Sequence, residues 1–211
     1  MLDMQTVSET ALPDFTPLDD DSVNGTRQLM KEAAKVHKQI LQAAQDPKKF
    51  TKLDRDDPHE EAEDQKMLRL GYKYKLFKLD DGLVVCMRCQ THFHNDTAME
   101  GLSNLFVLLE WNQKHQGWTK DLDAQTDVKF NKTIVENACN FNKWTMQCIL
   151  DGVDKMRFAF VQRVDPESSR SHKVVGFNSL KPESFAAKLN LNIQNCWAVL
   201  KDVLVTILAQ E

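Results

Sequence analysis

Two strand-forming runs, Tyr72–Leu79 and Leu83–Cys89, flank the turn residues Asp80-Asp81-Gly82, and this pattern constrains the fold more than any other in the chain. Aromatic and aliphatic residues fit a pleated, half-buried surface, and the Asp-Asp-Gly connection supplies the turn chemistry. The segment predicts an antiparallel hairpin. A polar segment, His92–Ser103, then leads to a third apolar run, Asn104–Trp111.

Beyond it the period changes. Ile134, Ala138, Phe141, Thr145 and Cys148 form one stripe of a helix predicted over Asp127–Leu150, with Trp144 and Ile149 beside it and Gly152 closing its end. Lys155–Val164 and His172–Phe177 read as further strands, joined by a polar loop containing Pro166, Ser168 and Ser169. A short helix near Pro182–Leu189 precedes a last one with a wide apolar face, Ile193, Cys196, Trp197, Leu200, Val203, Leu204, Ile207 and Leu208. Lys201 and Asp202 interrupt the run Cys196–Leu208, which reads as a core helix and not as a membrane span. Strands and helices cluster without strict alternation. The fold class is therefore α+β, a mixed or antiparallel sheet packed with helices.

The first third of the chain differs in texture. Residues 1–23 hold Pro13, Pro17 and Asp19-Asp20-Asp21 and too little apolar surface to offset the entropy of ordering, so they read as an extended acidic arm. Residues 24–46 read as a helix over Thr26–Ala44, with Asn24 as its cap and Leu29, Ala33, Val36, Ile40 and Ala44 as its apolar stripe. Residues 47–66 swing from Lys48-Lys49 to a block of acids and form a charged linker. Residues 67–211 are the α+β core domain.

Charge follows this division. Residues 1–66 carry 9 Lys/Arg against 15 Asp/Glu, and residues 67–211 carry 18 against 16. A net charge of -4 excludes a strongly basic nucleic-acid binder, so any affinity for RNA must come from the placement of charge. Met1–Glu9 already contains Asp3 and Glu9 and lacks a signal-peptide pattern. Five cysteines at irregular spacings do not form a secreted disulfide framework, which points to the reducing cytoplasm and no membrane.

The sharpest local motif is Cys86-x-x-Cys89-x-x-His92-x-His94, whose residue types suit tetrahedral zinc. Cys86 and Cys89 are three apart in a strand, however, and side chains there alternate faces. Two buried small cysteines beside a surface histidine pair is the preferred reading, and no cofactor is implied. Carboxylates at Glu110, Asp121, Asp123, Asp151 and Asp154 match no nuclease spacing, and no phosphate loop, zinc-protease or nucleophile-elbow motif occurs. No catalytic residue is assigned. Lys35, His37 and Lys38 on the first helix, and Arg170 and Lys173 around the polar loop beside Arg163 and His172, are candidate contacts to an RNA backbone. The competing reading is a solvated charged surface.

Several segments, in order, resemble the d subunit of eukaryotic translation initiation factor 3. These are Tyr72–Leu79 with Met87-Arg88-Cys89, Leu109-Glu110-Trp111-Asn112, Trp118 with Leu122-Asp123-Ala124-Gln125, Asn142-Lys143-Trp144-Thr145 leading to Leu150-Asp151-Gly152, and Ser169-Arg170-Ser171-His172. The most specific is Lys181-Pro182-Glu183-Ser184-Phe185-Ala186-Ala187 continuing through Leu191–Leu200. The resemblance implies part of a cup-shaped α+β domain able to bind the messenger cap, in a short, N-terminally truncated form. It also implies a non-catalytic subunit that recruits mRNA, with other subunits of initiation factor 3, the small ribosomal subunit and mRNA as partners. The positions nearest the family's cap contacts hold Ala34, His37 and Lys38, which differ in type, so the cap site is not carried over. Two alternatives are a module that retains cap or RNA recognition, and a metal-dependent RNA-processing enzyme suggested by fold similarity alone.

Overall fold

Alternating and helical periods in the sequence become six strands and four helices in a computed structural model that describes residues 22–45, 70–94, 101–110, 133–135 and 137–210. They are α1 (Thr26–Ala44), β1 (Gly71–Lys78), β2 (Val84–Thr91), β3 (Phe93–His94), β4 (Leu102–Glu110), α2 (Ala138–Asp151), β5 (Lys155–Arg163), β6 (His172–Leu180), α3 (Pro182–Lys188) and α4 (Ile193–Leu208). The arrangement is α+β. The acidic arm through Asp21, the whole of the charged linker, Asp121, Asp123, Trp111 and Trp118 lie outside the described residues.

β1 and β2 form the predicted hairpin, antiparallel from Gly71 opposite Thr91 to Lys78 opposite Val84, around a 3-10 turn at Asp80–Gly82. The turn passes through Gly82 at φ 76°, a conformation that disfavours a Cβ. The second sheet runs β3-β4-β5-β6. β4 and β5 are parallel, with α2 in the connection between them, while β3 and β6 pair antiparallel at the two edges.

A parallel central pair has to be covered on both faces, and β5 is buried at nearly every position. On one face Phe106, Phe141, Cys148, Met156, Phe158 and Phe185 make the main core between the sheet, α2 and α3. Its rings meet edge-on, with Phe141 5.2 Å from Phe158 and 5.6 Å from Phe185, and Trp144 stacks on Phe106 at 4.8 Å. On the other face Leu41 of α1 packs on Leu105 and Ala159, bordered by Ile40, Phe93 and Val107. Gly152 ends α2 at φ 70° and donates to the carbonyls of Cys148 and Ile149, as its place after the stripe predicts.

The hairpin is tied to this body by polar contacts. The buried Asp151 carboxylate accepts from the Thr91 hydroxyl at 2.7 Å and pairs with Lys73 at 3.0 Å. Asn104 accepts from the His92 backbone N–H at 2.7 Å and donates to the Gln90 carbonyl at 3.1 Å. Asp154 accepts from the Leu102 backbone N–H. Two carboxylates considered for catalysis are thus held in structural hydrogen bonds.

Three expectations change. Asn24 does not cap α1; Gly25 occupies that position without a side-chain bond, because the Asn24 side chain accepts from Arg163 instead. The buried line of α1 is Glu32, Val36 and Leu41, while Ala44 is exposed. Most unlike the expectation, no residue of α4 is buried. Trp197 lies 5.1 Å from Phe77 of the hairpin, but Val199, Val203, Val205, Ile207 and Leu208 are exposed, so α4 is not a core helix among the described residues.

Candidate functional site

A carboxylate on the inner line of an otherwise apolar helix face needs a buried cation. Glu32 of α1 finds one in Arg163, the last residue of β5; both are about 7% exposed. The Arg163 guanidinium uses all five of its N–H donors. Nε and one Nη bond the two Glu32 oxygens, and the other Nη donates to Asn24 Oδ1 and the Pro166 carbonyl at 2.7 and 2.8 Å. The remaining donor reaches the Val23 carbonyl at 3.0 Å. His172 Nε2, at the start of β6, lies 2.7 Å from Glu32 Oε1. Burial pushes the Glu32 carboxyl up, but hydrogen bonds from Arg163 and His172 outweigh it and hold the group below its ordinary value. The same bond raises the Arg163 pKa.

This network forms the floor of a recess of about 280 Å³ between α1 and the β5–β6 loop. Lys31 and Lys35, one turn apart, stand on its helical wall; Ser169 and Arg170 stand on the loop wall; Glu32 and His172 lie beneath. Arg163 neutralises Glu32, so the open part of the recess carries the positive charge of three exposed side chains.

The structure thus brings together two of the candidate RNA contacts, Lys35 and Arg170, and adds Lys31. It separates the others. His37 is half-buried, and burial lowers its pKa; Lys38 and Lys173 are exposed and do not line the recess. Arg163 is committed to internal bonds. Lys31 was legible as the i, i+4 partner of Lys35, and Glu32 as a charge beside Ala33 and Val36 on an apolar stripe.

The cysteine–histidine motif is spread out. Along β2, Cys86 is exposed and Cys89 buried, as alternation dictates, so the pair is not jointly buried. His92 is half-buried; its Nδ1 lies 3.1 Å from both the N and O of Leu105, and burial, followed by the nearby His37 charge, pulls its pKa down to about 4. Among the described residues no three His, Cys, Asp or Glu side chains converge as a metal site. No single helix there is long and apolar enough to cross a membrane.

A family model described as eukaryotic translation initiation factor 3 subunit 7 matches residues 1–211. The chain belongs to this family. It is 32% identical over 213 residues to the D-2 subunit of eukaryotic translation initiation factor 3 from Drosophila willistoni, covering 94% of this chain and 37% of the relative. The D subunit from Bombyx mori is 30% identical over 224 residues, covering 99% of this chain and 40% of the relative. For the D-1 subunit from Drosophila ananassae the figures are 29% over 219 residues, 99% and 39%. The chain spans about two fifths of the length of these relatives.

Proposed function

We propose that this chain is a non-catalytic subunit of the eukaryotic translation initiation factor 3 complex, acting in the cytoplasm in recruitment of mRNA to the small ribosomal subunit. The observation that carries the reading is the family match along the entire chain, together with relatives named as the D subunit of that factor. Its partners are the other subunits of the factor and the small ribosomal subunit, and its chemistry is binding. Lys35 and Arg170, which share one recess, are its contacts to mRNA, and Lys38 and Lys173 extend the basic surface beyond it.

Affinity purification of the tagged full chain tests this. Recovery of sibling subunits and small-subunit ribosomal proteins is the expected result. Elution of the chain alone, under conditions in which an intact relative brings down the complex, would refute it.

A further inference from the structure

Lys31 and Lys35 place like charges one turn apart on α1, an arrangement that destabilises an isolated helix. Among the described residues neither ammonium, nor the Arg170 guanidinium across the recess, engages in an ion pair or hydrogen bond. The one carboxylate between them, Glu32, is already bound by Arg163 and His172. Three cations therefore converge from two elements on a cavity whose floor is rigid and internally neutralised. Local rules are broken in this way where a ligand supplies the missing partner.

We propose that this recess is a phosphate site for single-stranded RNA, in which Lys31, Lys35 and Arg170 hold consecutive phosphodiester groups. The inference rests on the reading above that the chain works on mRNA, and it names the chemistry of that contact. At about 280 Å³ the recess lies just under the usual range of small-molecule pockets, roughly 300–1,000 Å³, so it suits a sugar–phosphate backbone crossing it better than a large organic ligand. No Phe, Tyr or Trp side chain lines it, and its one imidazole, His172, is held by Glu32, so the usual stacking platform for base recognition is missing. Lysine supplies point charges and arginine a planar fork, both suited to phosphate oxygens. The Gln28 and Gln39 amides on the same wall add donors and acceptors within reach of a sugar hydroxyl. Recognition here is of the backbone and independent of sequence.

The site differs from the positions nearest the family's cap contacts. Ala34, His37 and Lys38 do not line the recess; His37 follows Lys35 by about 200° of helical rotation and faces away, while Lys38, seven residues after Lys31, stands on the same side of α1 outside the cavity. The recess reads the strand, not its capped end.

The test uses the purified full chain and a fluorescein-labelled oligouridylate of about twelve nucleotides, followed by anisotropy from about 50 to 200 mM salt. Each lost contact to a single strand lowers the salt slope by about 0.7 and, near 0.1 M salt, the affinity by about fivefold. The triple variant Lys31→Ala/Lys35→Ala/Arg170→Ala should therefore lose about two units of slope and about a hundredfold in affinity. All three residues are exposed, so the fold is retained. Ser169→Glu, which puts a carboxylate on the loop wall, should weaken binding as well, and a capped oligonucleotide should bind no better than an uncapped one.

Three results would overturn the proposal: no binding by the parent chain at about 50 mM salt, a triple-variant affinity within about twofold of the parent, or equal displacement of the RNA by polyglutamate of matched charge. Equal displacement would assign the recess to an acidic peptide. The assay contains no sibling subunit, so its failure is separable from failure of the complex. If the triple variant still recovers sibling subunits while losing the oligouridylate, the inference stands.

Discussion

Replacement of Arg163 by methionine is the sharpest perturbation of this fold. The side chain is about 7% exposed, and its five donors satisfy Glu32 twice, Asn24, Val23 and Pro166. Methionine fills much of the volume but returns none of these bonds. Water can reach the Pro166 and Val23 carbonyls, whose residues are exposed, but Glu32 is left as a buried carboxylate with His172 as its remaining partner. Removing one member of a buried ion pair costs about 3–5 kcal/mol. With a urea slope of about 2 kcal/mol per molar, the midpoint should fall by about 1.5–2.5 M. A second variant, Glu32→Leu/Arg163→Met, removes the stranded charge and should recover most of the loss.

Acid adds a signature. In the parent the folded Glu32 pKa lies below its ordinary 4.5, so its contribution is present above about pH 4.5 and disappears as pH falls through the lower folded value. In Arg163→Met the cation that lowers this pKa is gone, and the protonated acid is the easier form to bury. The stability gap between parent and variant should narrow as pH drops from neutral toward 4. Urea denaturation at several pH values measures both effects. A loss under about 1 kcal/mol at neutral pH, or a gap that does not change with pH, would refute the assignment of Arg163 as the buried partner of Glu32.

Three further outcomes follow from the same geometry. His92 titrates near 4 when folded, against an ordinary value of 6.5, so the unfolded chain binds more protons between these values and stability falls as pH drops through that window; His92→Gln should reduce the loss between pH 7 and 4.5 by about 2–3 kcal/mol in urea melts. Gly152→Ala places a Cβ at φ 70° and should cost about 1 kcal/mol in the same assay, with little change in the position of Lys75 because only its mobile Nζ approaches. In native protein, iodoacetamide should label Cys86 and Cys139 rapidly while Cys148, fully buried with its thiol pKa pushed up to about 12, stays protected until denaturant is added; peptide mass analysis reads the pattern.

Where local chemistry decides, the sequence was readable. The Asp-Asp-Gly turn announced the hairpin, and the Ala138–Cys148 stripe with Gly152 announced the body and end of α2, which begins at Ala138 and not at Asp127 among the described residues. What escaped depends on partners far along the chain. Asn24 is a reasonable cap by its neighbours, yet a guanidinium 139 residues away claims its oxygen. Composition marks α4 as core, but burial needs a surface to bury against, and the described residues supply only the Phe77 side of the hairpin. The recess was half legible. Lys35 and Arg170 could be nominated as basic residues, but their shared address required knowing that Glu32 and Arg163 meet.

That meeting also sets a timetable. One wall of the recess is made by residues 23–39 and the other by residues 163–172, and Arg163 joins them across 131 positions. Closing so long a loop is entropically slow compared with forming the hairpin or docking α2 beside β5. During synthesis the helical wall emerges early and waits, its lysines on display without their floor or opposite bank. The complete recess is born only when β6 has left the ribosome, so a stalled or clipped chain carries the charges but not the cleft.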